Sequence, residues 1–118
     1  MVGLVVVSHS ENLAKSVVEL TALMAPAARV AAAGGMADGG FGTCFEKIRD
    51  AIESVRSEDG VLVIMESGQR VMTTEMVVEL FEGRRWRWWT AAGGRAVVAT
   101  IDAVGGMSFE AIKQDLAK

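Results

Sequence analysis

The one side chain with obvious chemical reach in these 118 residues is the single histidine, His9. It stands in the run Ser8-His9-Ser10, directly after the aliphatic stretch Leu4-Val5-Val6-Val7. A neutral imidazole offers one nitrogen as nucleophile near neutral pH, provided its other nitrogen keeps the proton. Three kinds of chemistry compete for it. A zinc site would lack soft ligands, because Cys44 is the only cysteine and carboxylates would have to complete the shell. A Ser-His-Asp hydrolase has Ser8, Ser10 and Ser67 to draw on, yet the chain has no Gly-x-Ser-x-Gly elbow. Ser8 and Ser10, as sequence neighbours of the ring, are not placed as its nucleophile. A histidine that itself carries a phosphoryl group fits better. Glu66 would accept the proton of the second ring nitrogen and fix the tautomer. Backbone amides would receive the phosphoryl oxygens, and the loose transition state of phosphoryl transfer asks for little besides alignment.

The elements that must hold this ring are legible in the spacing. Leu4 to Val7 has no polar alternation, as expected of a strand buried on both faces. Helical spacing starts with Leu13, Val17, Val18 and Leu20, with Ser10 as the predicted N-cap and Glu11 in the first turn. This first helix is expected from about Ser10 to Met24, broken by Ala25-Pro26. Arg29 to Ala33 reads as a weak second strand. Five glycines follow within residues 34–43, namely Gly34, Gly35, Gly39, Gly40 and Gly42. Such a loop is either a wide turn between strand and helix or a cradle for a phosphate, formed by Gly34, Gly35, Gly39, Gly42 and Thr43 together with Ser10. Thr43 is predicted to cap an amphipathic helix from Cys44 to Val55, with Phe45, Ile48, Ile52 and Val55 inward and Lys47, Arg49, Asp50 and Glu53 opposite.

After a turn at 57–60, Val61 to Met65 reads as a second fully apolar strand that ends in Glu66-Ser67-Gly68-Gln69. A helix is expected from Val71 to Phe81, stopped by Gly83. Ala96 to about Val104 reads as helix, and Ser108 opens a last one that runs to Leu116. Strand and helix in alternation imply right-handed crossovers and a parallel sheet. The fold expected is α/β and doubly wound, a four-stranded parallel sheet of order 2-1-3-4 with helices on both faces. In that order the chain reverses direction between strands 1 and 3, where ligands collect in open sheets. His9 would then lie beside Glu66 to Gln69, with the glycine loop flanking.

Composition sets the outer bounds. The length suits one domain over 1–118, and 51% apolar residues suit a sheet covered on both faces. A net charge of −3 argues against a nucleic-acid coat and against an anionic-membrane binder. One cysteine allows no internal disulfide, no apolar run approaches a membrane span, and no basic n-region precedes residues 4–7. A reduced, cytoplasmic setting is the expectation.

Leu4 to Ser10, Ala32-Ala33-Gly34-Gly35, Asp38-Gly39, Gly42-Thr43 and Gly60 to Val63 resemble, in this order, the mannose-type IIA domains of the bacterial phosphotransferase system. Among these they resemble the phosphoryl-donor subunits of dihydroxyacetone kinase. The resemblance runs along nearly the whole chain. It implies a homodimer whose His9 takes a phosphoryl group from the histidine phosphocarrier protein, with no resident cofactor. It implies further that the group passes to ADP on the kinase's nucleotide-binding subunit. A sugar-transporter IIA component and a catalytically silent regulatory module are the alternatives, and the glycine-loop motif favours the kinase. The family has Asp-Leu/Met-Gly-Ser-Ala after the third strand, where this chain has Glu66-Ser67-Gly68-Gln69-Arg70. Glu in place of Asp lengthens the side chain by about 1.5 Å. Cys44 stands where Ser is common and reads as a small residue at a helix start.

Arg84 to Arg95 departs more sharply, with Trp86, Trp88 and Trp89 among arginines and glycines where the family has an aliphatic strand and an Ala-Pro-Leu-Val-Glu-Gly-type loop. Three readings stand. Interleaved Arg and Trp can stack on single-stranded nucleic acid, weakly supported on an acidic chain. The stretch can be a fourth strand or sheet edge, with Trp86 and Trp88 on one face and Arg87 and Trp89 on the other. It can also mark a slip in reading frame, since GC-rich codons for Arg-Trp-Arg-Trp-Trp-Thr, read one base earlier, can encode Ala-Leu-Ala-Val-Val-Asp. The coding DNA tests the slip directly: a shifted frame restores aliphatic residues across 85–90, whereas a frame that yields none excludes it.

Overall fold

A computed structural model describes residues 1–65, Val77, Ala99 and 101–116. Three parallel strands, β1 (Gly3–Ser8), β2 (Val30–Gly34) and β3 (Val61–Met65), form a sheet of order β2-β1-β3. Helices α1 (Glu11–Met24) and α2 (Phe45–Val55) follow β1 and β2, and α3 (Phe109–Leu116) comes last. Residues 101–104, Ala99 and Val77 are also helical. The first three places of the expected strand order thus hold. The fourth strand, most of the 71–81 helix and the tryptophan stretch lie outside the described residues.

β1 occupies the middle because it is hydrogen-bonded on both sides. Leu4 pairs with Val30 and Leu62, and Val7 pairs with Ala33 and Met65. All six of its residues are buried, the reason its sequence carries no polar alternation. Successive side chains point to opposite faces, so one run supplies two cores. Val5, Val7, Val61 and Val63 meet Ile48, Ala51, Ile52 and Val55 of α2 on one face. Leu4, Leu62 and Ile64 meet Ala103 and Ile112 on the other, with Val17 of α1 and Phe109 of α3 packed alongside. β2 is the weaker strand in both sequence and structure. Its Val30, Ala31 and Ala32 are only partly buried.

The helices are held unequally. Full burial of an Ile or Val side chain contributes about 1.5–3 kcal/mol, and α2 commits Ile48, Ile52 and Val55 in this way. α1 buries only Ala14 and Thr21 outright, leaving Leu20, Leu23 and Met24 exposed. It depends more on its ends. Ser10 is the N-cap as expected, its hydroxyl accepting from the Leu13 amide at 3.2 Å. The Ala25 amide closes the last turn on Thr21, after which Pro26 cannot continue the ladder. α3 is capped likewise, by Ser108 accepting from Ala111 at 3.2 Å.

One boundary departs from expectation. α2 begins at Phe45 with Cys44, not Thr43, at the N-cap, in extended backbone and without a side-chain cap bond. A thiol is a poor acceptor, and the Cys44 Sγ instead donates to the Glu46 carboxylate at 3.4 Å. The packing of Phe45 and Ile48 fixes where the helix starts, and the polar cap preference yields to it.

β2 meets α1 so closely that glycine is required at its end. A Cβ on Gly34 would lie 2.5 Å from the Ser10 carbonyl oxygen and 2.8 Å from Ala14 Cβ. Both are parts of the α1 start, so Gly34→Ala must push that helix away from the sheet. The expected cost is about 1–3 kcal/mol, read as a lower urea midpoint; an unchanged midpoint would show that the helix start can shift freely.

Candidate functional site

The carboxyl end of β1 is built to turn a chain outward. Ser8 is the last strand residue and fully buried, and its hydroxyl accepts from the Ser10 amide at 3.0 Å. That short bridge across His9 sets the bend and leaves the imidazole exposed at the sheet's rim. Two further bonds tie the same bend to the glycine loop. The Gly35 amide donates to the Ser8 carbonyl at 3.2 Å, and the Gly42 amide donates to the His9 carbonyl at 2.8 Å. His9 is therefore anchored by its backbone on both sides and is itself exposed.

The glycine loop is a self-bonded turn. Met36 donates to the Gly40 carbonyl at 2.8 Å, Gly39 donates to Met36 at 3.0 Å, and Gly40 donates to the Asp38 carboxylate at 2.8 Å. Gly35 and Gly39 take φ of +73° and +89°, which side-chain-bearing residues avoid. The amides of Gly35, Gly39 and Gly42 thus have protein acceptors, and their geometry shapes the loop around His9. Gly34 sits one step earlier, paired with Ser8 in β2. Thr43 is half-buried just before the cap of α2. At the start of α1, Glu11 and Asn12 carry first-turn amides for which a helix supplies no acceptor of its own. Ser10, Gly34, Gly35, Gly42 and His9 are accordingly brought together at one end of the sheet. Glu66 lies outside the described residues, one position beyond Met65, whose backbone pairs with Val7 at that same end.

Sequence reasoning missed the charges beside this bend. The Glu11 carboxylate, at the first position of α1, is 2.7 Å from Lys15 Nζ and 3.7 Å from Lys47 Nζ. Lys47 Nζ also donates to the Gly34 carbonyl at 3.1 Å. The hydrogen bond from Lys15, then the charges of Lys15 and Lys47, hold the Glu11 carboxyl below the usual carboxylate range. The Glu11–Lys15 pair could have been found from its i,i+4 spacing. Lys47 gave no such signal, since it reaches Glu11 only once α2 has folded back along β2. Among the described residues no three His, Cys, Asp or Glu side chains lie together as a metal site would need. Nor is any described helix long and apolar enough to cross a membrane.

An exposed imidazole at a helix amino terminus can take up an anionic group, because the helix end carries partial positive charge and free amide donors. Comparison with known proteins gives the chain its relatives. Residues 3–117 match the family EIIA-man, the PTS system fructose IIA component. The phosphoryl donor subunit DhaM of PEP-dependent dihydroxyacetone kinase from Escherichia coli (strain K12) is 42% identical over 84 residues, which is 68% of this chain and 18% of that protein. DhaM of PEP-dependent dihydroxyacetone kinase 1 from Listeria innocua is 38% identical over 80 residues, covering 68% and 64% of the two chains. The phosphotransferase subunit DhaM of the PTS-dependent kinase from Lactococcus lactis is 30% identical over 116 residues, covering 98% and 94%. The chain spans less than two thirds of the first two relatives and nearly all of the third. The crystal structure of the unknown-function protein EF1359 has a TM-score of 0.81 at 21% identity, covering 98% of this chain and 92% of that one. A sigma-54 interaction domain protein from Enterococcus faecalis has a TM-score of 0.74 at 22% identity, covering 98% and 87%. At such identities the likeness is one of fold.

The lowered Glu11 value has a consequence for stability. The folded carboxyl titrates below the unfolded one, so its contribution is present above the ordinary carboxylate range and is lost as pH falls through the folded value. Glu11→Gln removes that dependence. Between about pH 6 and about pH 3 its urea midpoint should fall less than that of the parent chain; equal falls would mean that the ion pairs contribute nothing.

Proposed function

Because the chain belongs to the EIIA-man family of phosphotransferase-system IIA components, we propose that it is a phosphoryl carrier working through His9, as the phosphoryl-donor subunit of a dihydroxyacetone kinase. A lone pair on one ring nitrogen of His9 attacks the phosphorus carried by the histidine phosphocarrier protein. The nitrogen–phosphorus bond of the donor breaks and its electron pair stays on the donor ring. The second nitrogen of His9 keeps its proton, which Glu66 accepts in a hydrogen bond. Discharge runs the same way, to the terminal phosphate oxygen of ADP on the nucleotide-binding subunit of the kinase, and leaves His9 neutral again.

The observation that carries this reading is the exposed His9 ring on a backbone fixed by the Gly42 and Ser10 amides at the mouth of a parallel sheet. Ser10 and the first turn of α1 receive the phosphoryl oxygens, while Gly34, Gly35, Gly39, Gly42 and Thr43 give the cradle its shape. DhaM relatives at 30–42% identity support the kinase as partner over a sugar transporter. The finer architecture belongs to the same reading. A fourth strand beyond β3 completes the order 2-1-3-4, two copies form a homodimer, and the protein works in the cytoplasm.

Incubation with the general phosphotransferase proteins and phosphoenolpyruvate, followed by mass spectrometry, tests the carrier role. The parent chain should gain one acid-labile phosphoryl group and His9→Ala none. Label that survives His9→Ala, or no label on the parent, overturns it. Adding ADP, dihydroxyacetone and the other kinase subunits should discharge the label, and a label that persists would remove the kinase as partner.

A further inference from the structure

Glu11 poses an electrostatic problem for any anion at His9. It lies two residues beyond His9 in the chain, at the first position of the helix that follows the bend. A phosphoryl group brings about −1.5 to −2 charge near neutral pH. A bare carboxylate beside it would oppose the transfer and cancel part of the favourable helix end. The structure surrounds that carboxylate with two lysines of different standing. Lys15 sits on the same helix with its side chain largely exposed, where an ion pair is weakened by solvent and side-chain freedom. Lys47 comes from α2, is the more sheltered of the two, and is fixed by its second bond to the Gly34 carbonyl. Gly34 in turn pairs with Ser8, and the next amide, Gly35, bonds the Ser8 carbonyl. One ammonium group therefore joins α2, the end of β2 and the start of α1, the elements that flank the His9 bend.

Resting on the proposed phosphorylation of His9, we infer that Lys47 is a positioning residue for that reaction: it offsets the Glu11 charge and pins the α1 start against β2. The role divides into an electrostatic part and a mechanical part, and the two respond to different changes. Lys47→Met keeps the apolar stem and removes the charge. Lys47→Arg keeps the charge on a different head.

A double-mutant cycle of Lys47→Met with Glu11→Gln, read as the initial rate of His9 labelling by the general phosphotransferase proteins and phosphoenolpyruvate, tests this. At low ionic strength Lys47→Met should label about tenfold more slowly than the parent. Adding Glu11→Gln should bring the rate back to within about threefold, and raising the salt should shrink the deficit of the single variant. Lys47→Arg should stay near the parent rate. A purely structural lysine would lower the melting temperature without rescue by Glu11→Gln and without salt dependence, and that result overturns the inference. So does a Lys47→Met rate equal to that of the parent. If Lys47→Met does not fold, Lys47→Gln and the ratio of Glu11→Gln to parent rates across salt carry the same comparison. A parent chain that takes no label defeats the carrier reading itself, whereas a labelled parent with an indifferent Lys47 defeats this inference alone.

Discussion

The backbone hydrogen bond from Gly42 to the His9 carbonyl, at 2.8 Å, is the constraint on which the site depends. A strand that simply ended would leave its last residues free to sample many directions, at an ordering cost of about 1–2 kcal/mol per residue on every approach of a partner. Here that cost is met during folding. The Ser8 hydroxyl bridges to Ser10 on one side, and the glycine loop closes on the other. The main chain under the imidazole is thus held from both sides. His9 itself stays exposed.

That arrangement explains why so many small residues gather at one end of the molecule. β2 must end close enough to α1 for the loop to reach back, and Gly34 is where backbone meets backbone. Gly35 and Gly39 then take left-handed conformations that reverse the chain within a few residues. The amides of Met36, Gly39 and Gly40 find acceptors within the loop in doing so. On the proposed reading labour is divided: the loop fixes geometry, while the helix end supplies the field and the first-turn amides. A loop that left its amides free would have to be ordered by the anion itself.

β1, β3 and the Ser10 cap were legible in the sequence because local chemistry dictated each. An unbroken aliphatic run flanked by turn residues leaves little choice but a buried strand, and Ser10 before a helical period is a strong start signal. The position of His9 followed from those two alone. The start of α2 was read one residue early because Thr43 looked the better cap, yet Phe45 and Ile48 packing against the sheet decided it. Lys47 reads from the sequence as lying opposite the apolar face of Phe45, Ile48, Ile52 and Val55. Its stem follows the helix surface toward the sheet edge, where Gly34 and Glu11 offer an acceptor and a charge. Such a contact between three elements distant in sequence has no local signature.

The unequal anchoring of the two helices fits the same division. α2 is locked to the sheet by Ile48, Ile52 and Val55, so its surface is a rigid base from which Lys47 can hold a fixed position. α1 buries only Ala14 and Thr21 outright, and its start is held by the Ser10 cap, the Gly34 contact and the Lys47–Glu11 pair. A helix that buries so little apolar surface relies on its polar ties more than on packing. The Ser10 cap, the Gly34 contact and the Lys47–Glu11 pair all lie at the end that adjoins His9. The change of charge that the proposed phosphorylation brings to His9 would therefore act where α1 is tied by charge, at Glu11 and Lys47, and not on the apolar core.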